Sequence, residues 1–450
     1  MSALSLVSRR HHSAAALALL LAIPAGPAPA RERPTAFTLP NGLRVVLLEE
    51  RTVPNICLGI AVRTGSINER PGITGISHLF EHMMFNGSKR YPPGRFDQVL
   101  EEGGGYSNAY TSQDLTFYYE EFVPELLDTV LAMEADRFRR LTIDTENLER
   151  ERGIVMEERR VGVDNSIPST LSEVLYATAY AAHPYRTPVV GWMKDLETLT
   201  LEDARTYYGT WYAPNNATLV MVGDISAARA RTLVTRHLAS LPRRPLPRTP
   251  ADAEPPQQGE KRAVVRKAAE LPALMIGWKA DRASSPDHPA LQMLAVILGQ
   301  GESSRLHRVL VYEEQLCTAV AVEMGEVRDP GLLALYAQMR PGRTAAEAEA
   351  RVSALLRAVA DSGVTVAETE KARSLLEKQG VDALLSHSGT AGRLAFYDAV
   401  HGSWEGALDP TARYAAVTPE QIRLAAHRVL NDRGKTVVVL QPEAAEEDRP

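Results

Sequence analysis

Two histidines and an acid stand close together in the run His78-Leu79-Phe80-Glu81-His82. Imidazole nitrogens bind zinc, and a neighbouring carboxylate can take a proton from water. On a helix, His78 and His82 are i, i+4, about 40° apart around the axis and one turn along it. Glu81 falls about 60° to the other side of His78, so all three share one arc. A two-histidine zinc site needs another protein donor, and a carboxylate leaves the fourth position to water. The run Glu149 to Glu158 holds the candidates. Glu151 and Glu158 are i, i+7 on one helix face, with Ile154 and Val155 between them. Glu157 points about 100° from Glu158, toward solvent or a salt-bridge partner.

These residues need helices to carry them. Ile76, Leu79, Phe80 and Met83 recur at helical spacing, which predicts a helix from about Ile73 to Asn86. Strand-like runs precede it at Leu43 to Leu48 and Ile56 to Val62. Two helical segments, Val123 to Leu141 and Thr145 to Val161, come later, and a β-rich run closes at Ala217 to Val222. The second half repeats this order. Strands at Ala263 to Val265 and Ala273 to Trp278 lead to a helix at His288 to Leu298. Helices at Ala345 to Asp361 and Ala367 to Leu385 follow, with a closing strand at Thr436 to Leu440. The two halves meet at a Pro-rich, charged stretch between Leu241 and Arg262. Strands and helices mix without a βαβ rhythm, so the expected class is α+β, built by duplication.

The chain has 450 residues, 44% hydrophobic and 24% charged, a composition that fits a globular protein of more than one domain. Arg9-Arg10, an apolar run from Ala14 to Ile23 and Ala28-Pro29-Ala30 follow the order of a secretory signal peptide. Residues 1–30 carry two arginines and no acid, so their removal takes the net charge from −6 to −8. That balance argues against nucleic acid as a partner, and no later segment predicts stable membrane insertion. Cys57 and Cys317 each lie in apolar, strand-like runs, which predicts buried thiols rather than a disulfide.

The order H-x-x-E-H is that of inverted zinc peptidases. HLFEH, together with the ERGIVMEE segment, resembles the pitrilysin/insulinase family of zinc peptidases, with small bacterial members and mitochondrial processing peptidase subunits nearest in length. TLPNGLRVVLLEE, GGYSNAYTSQDLTFYY, HPYRTPVVGW and YAPNNATLVMVGD extend the match, and LGQGESSRLHRVL carries it loosely into the second half. The resemblance implies two similar domains, each a mostly antiparallel sheet packed with helices. It places a zinc-binding peptidase domain at 31–245, a linker at 246–262 and a catalytically inactive homologous domain at 263–450.

It implies zinc (Zn2+) as cofactor, ligands His78, His82 and Glu158, and Glu81 as the base for the zinc-bound water. Glu151 becomes a supporting catalytic carboxylate that orients the site. The strand around Asn108 and Ala109 becomes an edge that takes an extended peptide substrate. Family members that complete their own site carry an Arg and a Tyr seven residues apart in the second half. Aligned on Glu314-Gln315-Leu316, those positions here are Val311 and Thr318, while Arg305 and Tyr312 lie out of register. The expectation is therefore a zinc metalloendopeptidase, periplasmic or secreted, completed by a paralogous subunit lacking the zinc motif. A homodimer is the rival assembly. The rival functions are a non-proteolytic assembly subunit and a metal-dependent peptide-binding protein.

Overall fold

A computed structural model describes residues 33–247 and 254–443. The predicted leader, residues 1–30, lies outside the described residues, as do residues 248–253 of the expected linker. Six strands form the first sheet: β1 (Thr35–Thr38), β2 (Arg44–Glu49), β3 (Ile56–Val62), β4 (Tyr106–Thr111), β5 (Thr116–Phe122) and β6 (Ala217–Gly223). Their spatial order is β1-β2-β6-β3-β5-β4. The second sheet holds β7 (Lys261–Ala268), β8 (Ala273–Lys279), β9 (Cys317–Met324), β10 (Leu332–Met339) and β11 (Lys435–Glu443), ordered β7-β11-β8-β10-β9.

The two orders are one topology repeated. In each sheet a single parallel pair, β2 with β6 and β7 with β11, sits among antiparallel pairs. The first sheet adds β1 outside β2, and β4 and β9 occupy equivalent edges. The helices follow suit. α1 (Ile76–Met83) and α2 (Arg95–Glu102) lie between β3 and β4, while α3 (Leu127–Arg140) and α4 (Thr145–Arg159) follow β5. The helix His288–Gly299 follows β8, and helices Ala345–Ser362 and Val366–Asp382 follow β10. The class is α+β, as expected from the sequence.

The strands β3 and β6 are buried along their whole length, in keeping with their unbroken apolar runs. One face of the first sheet packs on a core that includes Leu79, Phe80, Leu131, Leu148 and Val155 from α1, α3 and α4. The other face is covered from the far half: Ala391, Leu394 and Ala395 of helix His387–Phe396 pack on Val46, Cys57, Phe117 and Val220. The exchange is reciprocal. α5 (Ile167–Ala179) lays Leu171 and Leu175 on Ala273, Met275 and Val438 of the second sheet. Leu175 seats over Gly277, where a Cβ would stand 3.0 Å from its methyl carbon. Both sheets belong to one compact unit.

Two local expectations shift. α1 is shorter than Ile73 to Asn86 because Gly75, at φ 86°, turns the chain before the first helical residue. β7 begins at Lys261, inside the expected linker, and Glu254 in that stretch accepts the backbone N–H groups of Ala181, Ala182 and His183. Cys57 and Cys317 are both free and buried.

Candidate metal centre

α1 is pinned at both ends. Its N-cap is a glycine with no side chain to offer, so the first-turn N–H groups need an acceptor from elsewhere. Glu69 supplies it: Oε2 accepts from Gly75 N and Oε1 from Ser77 N, both at 2.8 Å. Burial raises the Glu69 carboxyl to about 7 against these bonds, with Asp195 adding to the rise. Below the helix, Phe80 stacks among Tyr207, Tyr208 and Tyr212, and Tyr118 donates its hydroxyl to Phe80 O at 3.0 Å. The apolar face is held in the core, and the opposite arc presents His78, Glu81 and His82.

α4 runs beside α1. Its buried face is Asn147, Leu148, Glu151, Val155 and Arg159, which leaves Glu158 at the margin, half exposed. His78 Nε2 lies 3.5 Å and His82 Nε2 3.3 Å from Glu158 Oε2. These separations are longer than good hydrogen bonds. They match the edge of a tetrahedron of donors about 2.0–2.1 Å from a shared centre, which is about 3.4 Å. The three residues each offer one ligand atom within 4.8 Å of the others. The residues present therefore fit zinc in number, chemistry and spacing.

Glu151 takes a different place. Its side chain is 8% exposed, and Oε2 lies 3.5 Å from His82 Nδ1, behind the ring rather than among the converging atoms. Arg150 Nε donates to its Oε1 at 3.1 Å. The His82 contact is the main reason the Glu151 carboxyl is held below its ordinary value; burial opposes, and Asn86 and Arg150 assist. A carboxylate behind a ligating imidazole fixes the ring's tautomer and orientation.

The titrating groups differ by environment. Burial, and next the neighbouring His82, push His78 down to about 4. Burial pulls His82 down too, but Glu151, Glu158 and Glu81 together raise it above its usual value. Burial raises Glu81, while Thr111 and His82 pull the other way. A raised carboxyl is a better proton acceptor at neutral pH, which suits a general base. His78 Nδ1 is buried without a partner.

Thr111 ends β4, so the edge strand comes up beside Glu81. Tyr106, Asn108 and Tyr110 are exposed along it, and β4 has β5 on one side only. Asn108 Oδ1 accepts the N–H of Ala109 at 2.7 Å. Glu157 is exposed and accepts from Arg160 Nη1 at 3.0 Å, apart from the converging donors. In the second half, Val311 is buried and Thr318 is exposed on β9. Arg305 donates Nε and Nη2 to Glu368 at 2.6 and 2.7 Å, and Tyr312 is exposed. Sequence reasoning passed over Glu69, whose bonds close across a loop with no motif spacing to mark it. Its nearest signal is an acid a few residues before a capless glycine.

The Insulinase (Peptidase family M16) family matches residues 44–191, and the Peptidase M16 inactive domain matches residues 198–376. Zinc protease PqqE of Helicobacter pylori is 31% identical over 412 residues, covering 90% of this chain and 92% of that protein. The probable mitochondrial-processing peptidase subunit beta of Arabidopsis thaliana is 23% identical over 425 residues, 90% of this chain and 78% of that protein. The crystal structure of a protease from Helicobacter pylori superposes with a TM-score of 0.86 at 30% identity, over 92% of this chain and 100% of that one. With motif, repeated topology and these relatives in agreement, the chain belongs to the insulinase family of peptidases, family M16.

Proposed function

We propose that this chain is a zinc metalloendopeptidase that hydrolyses peptides or unfolded segments. The observation that carries the reading is the convergence of His78, His82 and Glu158 at metal-sharing distances beside Glu81. His78 and His82 would hold zinc through Nε2, Glu158 through Oε2, and Glu151 would orient His82. Zinc, when bound, supplies a Lewis acid that polarises a carbonyl and acidifies water. Glu81 takes the proton from the attacking water and returns it to the departing amine. The free edge of β4 holds the substrate backbone around Asn108 and Ala109, which requires Ala109 N–H to leave the Asn108 side chain.

The test is Glu81→Gln in the full chain. Zinc content should stay at the wild-type level, while cleavage of a quenched peptide falls by roughly 10²–10⁴-fold. Unchanged cleavage would remove Glu81 from the mechanism.

A paralogous subunit without the zinc motif completes the site, in preference to a homodimer. The support is that Val311 and Thr318 stand at the expected Arg and Tyr positions, and that Glu368 already holds Arg305. A periplasmic or secreted location is supported by the residue order at the N-terminus. Among the described residues no helix is long and apolar enough to cross a membrane.

A further inference from the structure

The HPYRTPVVGW segment includes Val190-Gly191-Trp192, which touches both helices of the metal centre without reaching the donors. Toward α1 the contact is backbone on backbone. A Cβ on Gly191 would stand 2.4 Å from Thr74 O and 2.5 Å from Gly75 Cα, and one on Gly75 would stand 2.5 Å from Val190 O. Both glycines have positive φ, 82° and 86°. No other residue combines that conformation with that approach. Trp192 N donates to Thr74 Oγ1 at 2.9 Å and so locks the register of the contact.

Toward α4 the contact is a buried cation. Arg159, 5% exposed, directly follows Glu158 in the chain. Its Nη1 donates to Gly191 O at 2.7 Å, and its fork grips Glu173 of α5 at 2.7 and 3.0 Å. Arg159 Cζ also lies 5.7 Å from the Trp192 ring centre. One peptide unit thus stands between the helix bearing His78 and His82 and the helix bearing Glu158.

We propose that Gly191 and Arg159 are positioning residues for the metal centre, setting the separation of α1 and α4 at which the three donors can share one ion. The proposal rests on the reading of His78, His82 and Glu158 as metal ligands. A methyl on Gly191 pushes α1 away from the 190–192 segment. Lysine at 159 keeps a cation near Glu173 but cannot span both Glu173 and Gly191 O with a planar fork. Either change moves Glu158 relative to the imidazoles.

The experiment measures zinc affinity of the full metal-free chain by competition with a chromophoric chelator, for wild type, R159K and G191A. L356A, in the core of the second half, serves as a variant that only destabilises. R159K and G191A should bind zinc about tenfold or more weakly, in the range of outer partners of metal ligands. L356A should lower Tm and leave zinc affinity unchanged. With cobalt in place of zinc, the visible bands of tetrahedral geometry should weaken in R159K and G191A alone. Wild-type affinity and spectra in both variants would overturn the proposal, and R159K decides it should G191A not fold. A wild-type chain that binds no zinc would instead overturn the metal-site reading itself.

Discussion

At the residue scale, the three acids of the candidate site differ in what surrounds them. Glu158 is half exposed and faces both imidazoles, Glu151 is buried behind one of them, and Glu81 is raised by burial beside the edge strand. The same side-chain chemistry thus meets three environments, which suit the proposed ligand, orienting group and base respectively. Glu151→Gln should keep the fold and lower zinc affinity by about 10–100-fold, measured by chelator competition. In the metal-free protein the same change should lower the His82 pKa, because Glu151 is among the groups that raise it. An NMR titration of the ring protons that shows no shift would separate Glu151 from His82.

At the element scale, α1 depends on a cap that its own N-cap cannot provide. Glu69 does this as a carboxyl raised from its usual 4.5 to about 7 by burial. Between those values the folded chain keeps a proton that the unfolded chain has released. The resulting stability is complete below pH 4.5 and is lost as pH rises through about 7, by up to ~1.4 kcal/mol per pH unit. Glu69→Gln should flatten that slope, read from urea midpoints between pH 5 and 8. An identical slope in the variant would place its origin elsewhere.

At the scale of the whole molecule, the halves are interlocked by the helices they exchange. Asp398, beside the end of helix His387–Phe396, is fully buried and meets Arg44 of β2 and Arg63 just past β3, each at 2.7 Å, and Thr218 Oγ1 at 2.6 Å. Removing its charge takes the carboxylate partner from two half-buried arginines. Asp398→Asn should cost roughly 2–4 kcal/mol, with both halves still melting in one transition. Two separate transitions in calorimetry would mean the halves are energetically independent. Assembly belongs to this scale too. The purified chain alone should cleave a quenched peptide slowly, and a paralogous subunit should raise the rate. Full activity of the lone chain would remove the need for that partner.

Much of this protein is legible one element at a time. β3 spans Ile56–Val62 as its apolar run predicts, and the order of strands and helices shows the duplication. The HLFEH spacing places two imidazoles and a carboxylate on one arc, because helical geometry is local and periodic. Local periodicity also allows Glu151 and Glu158 to share a face, but it is silent on which of them meets the histidines. Their separate places follow from how α4 lies against α1, which the packing around Gly75, Gly191 and Arg159 decides. By contrast α5 and the sheet it covers, that of the other half, come from the structure alone, because no local pattern specifies a pairing between elements so far apart in the chain. Sequence by itself determined the candidate donor types, the helix that carries His78 and His82, and the repeat. Tertiary structure decided which acid lies beside both imidazole Nε2 atoms and which half covers which sheet, since both depend on contacts between residues far apart in the chain.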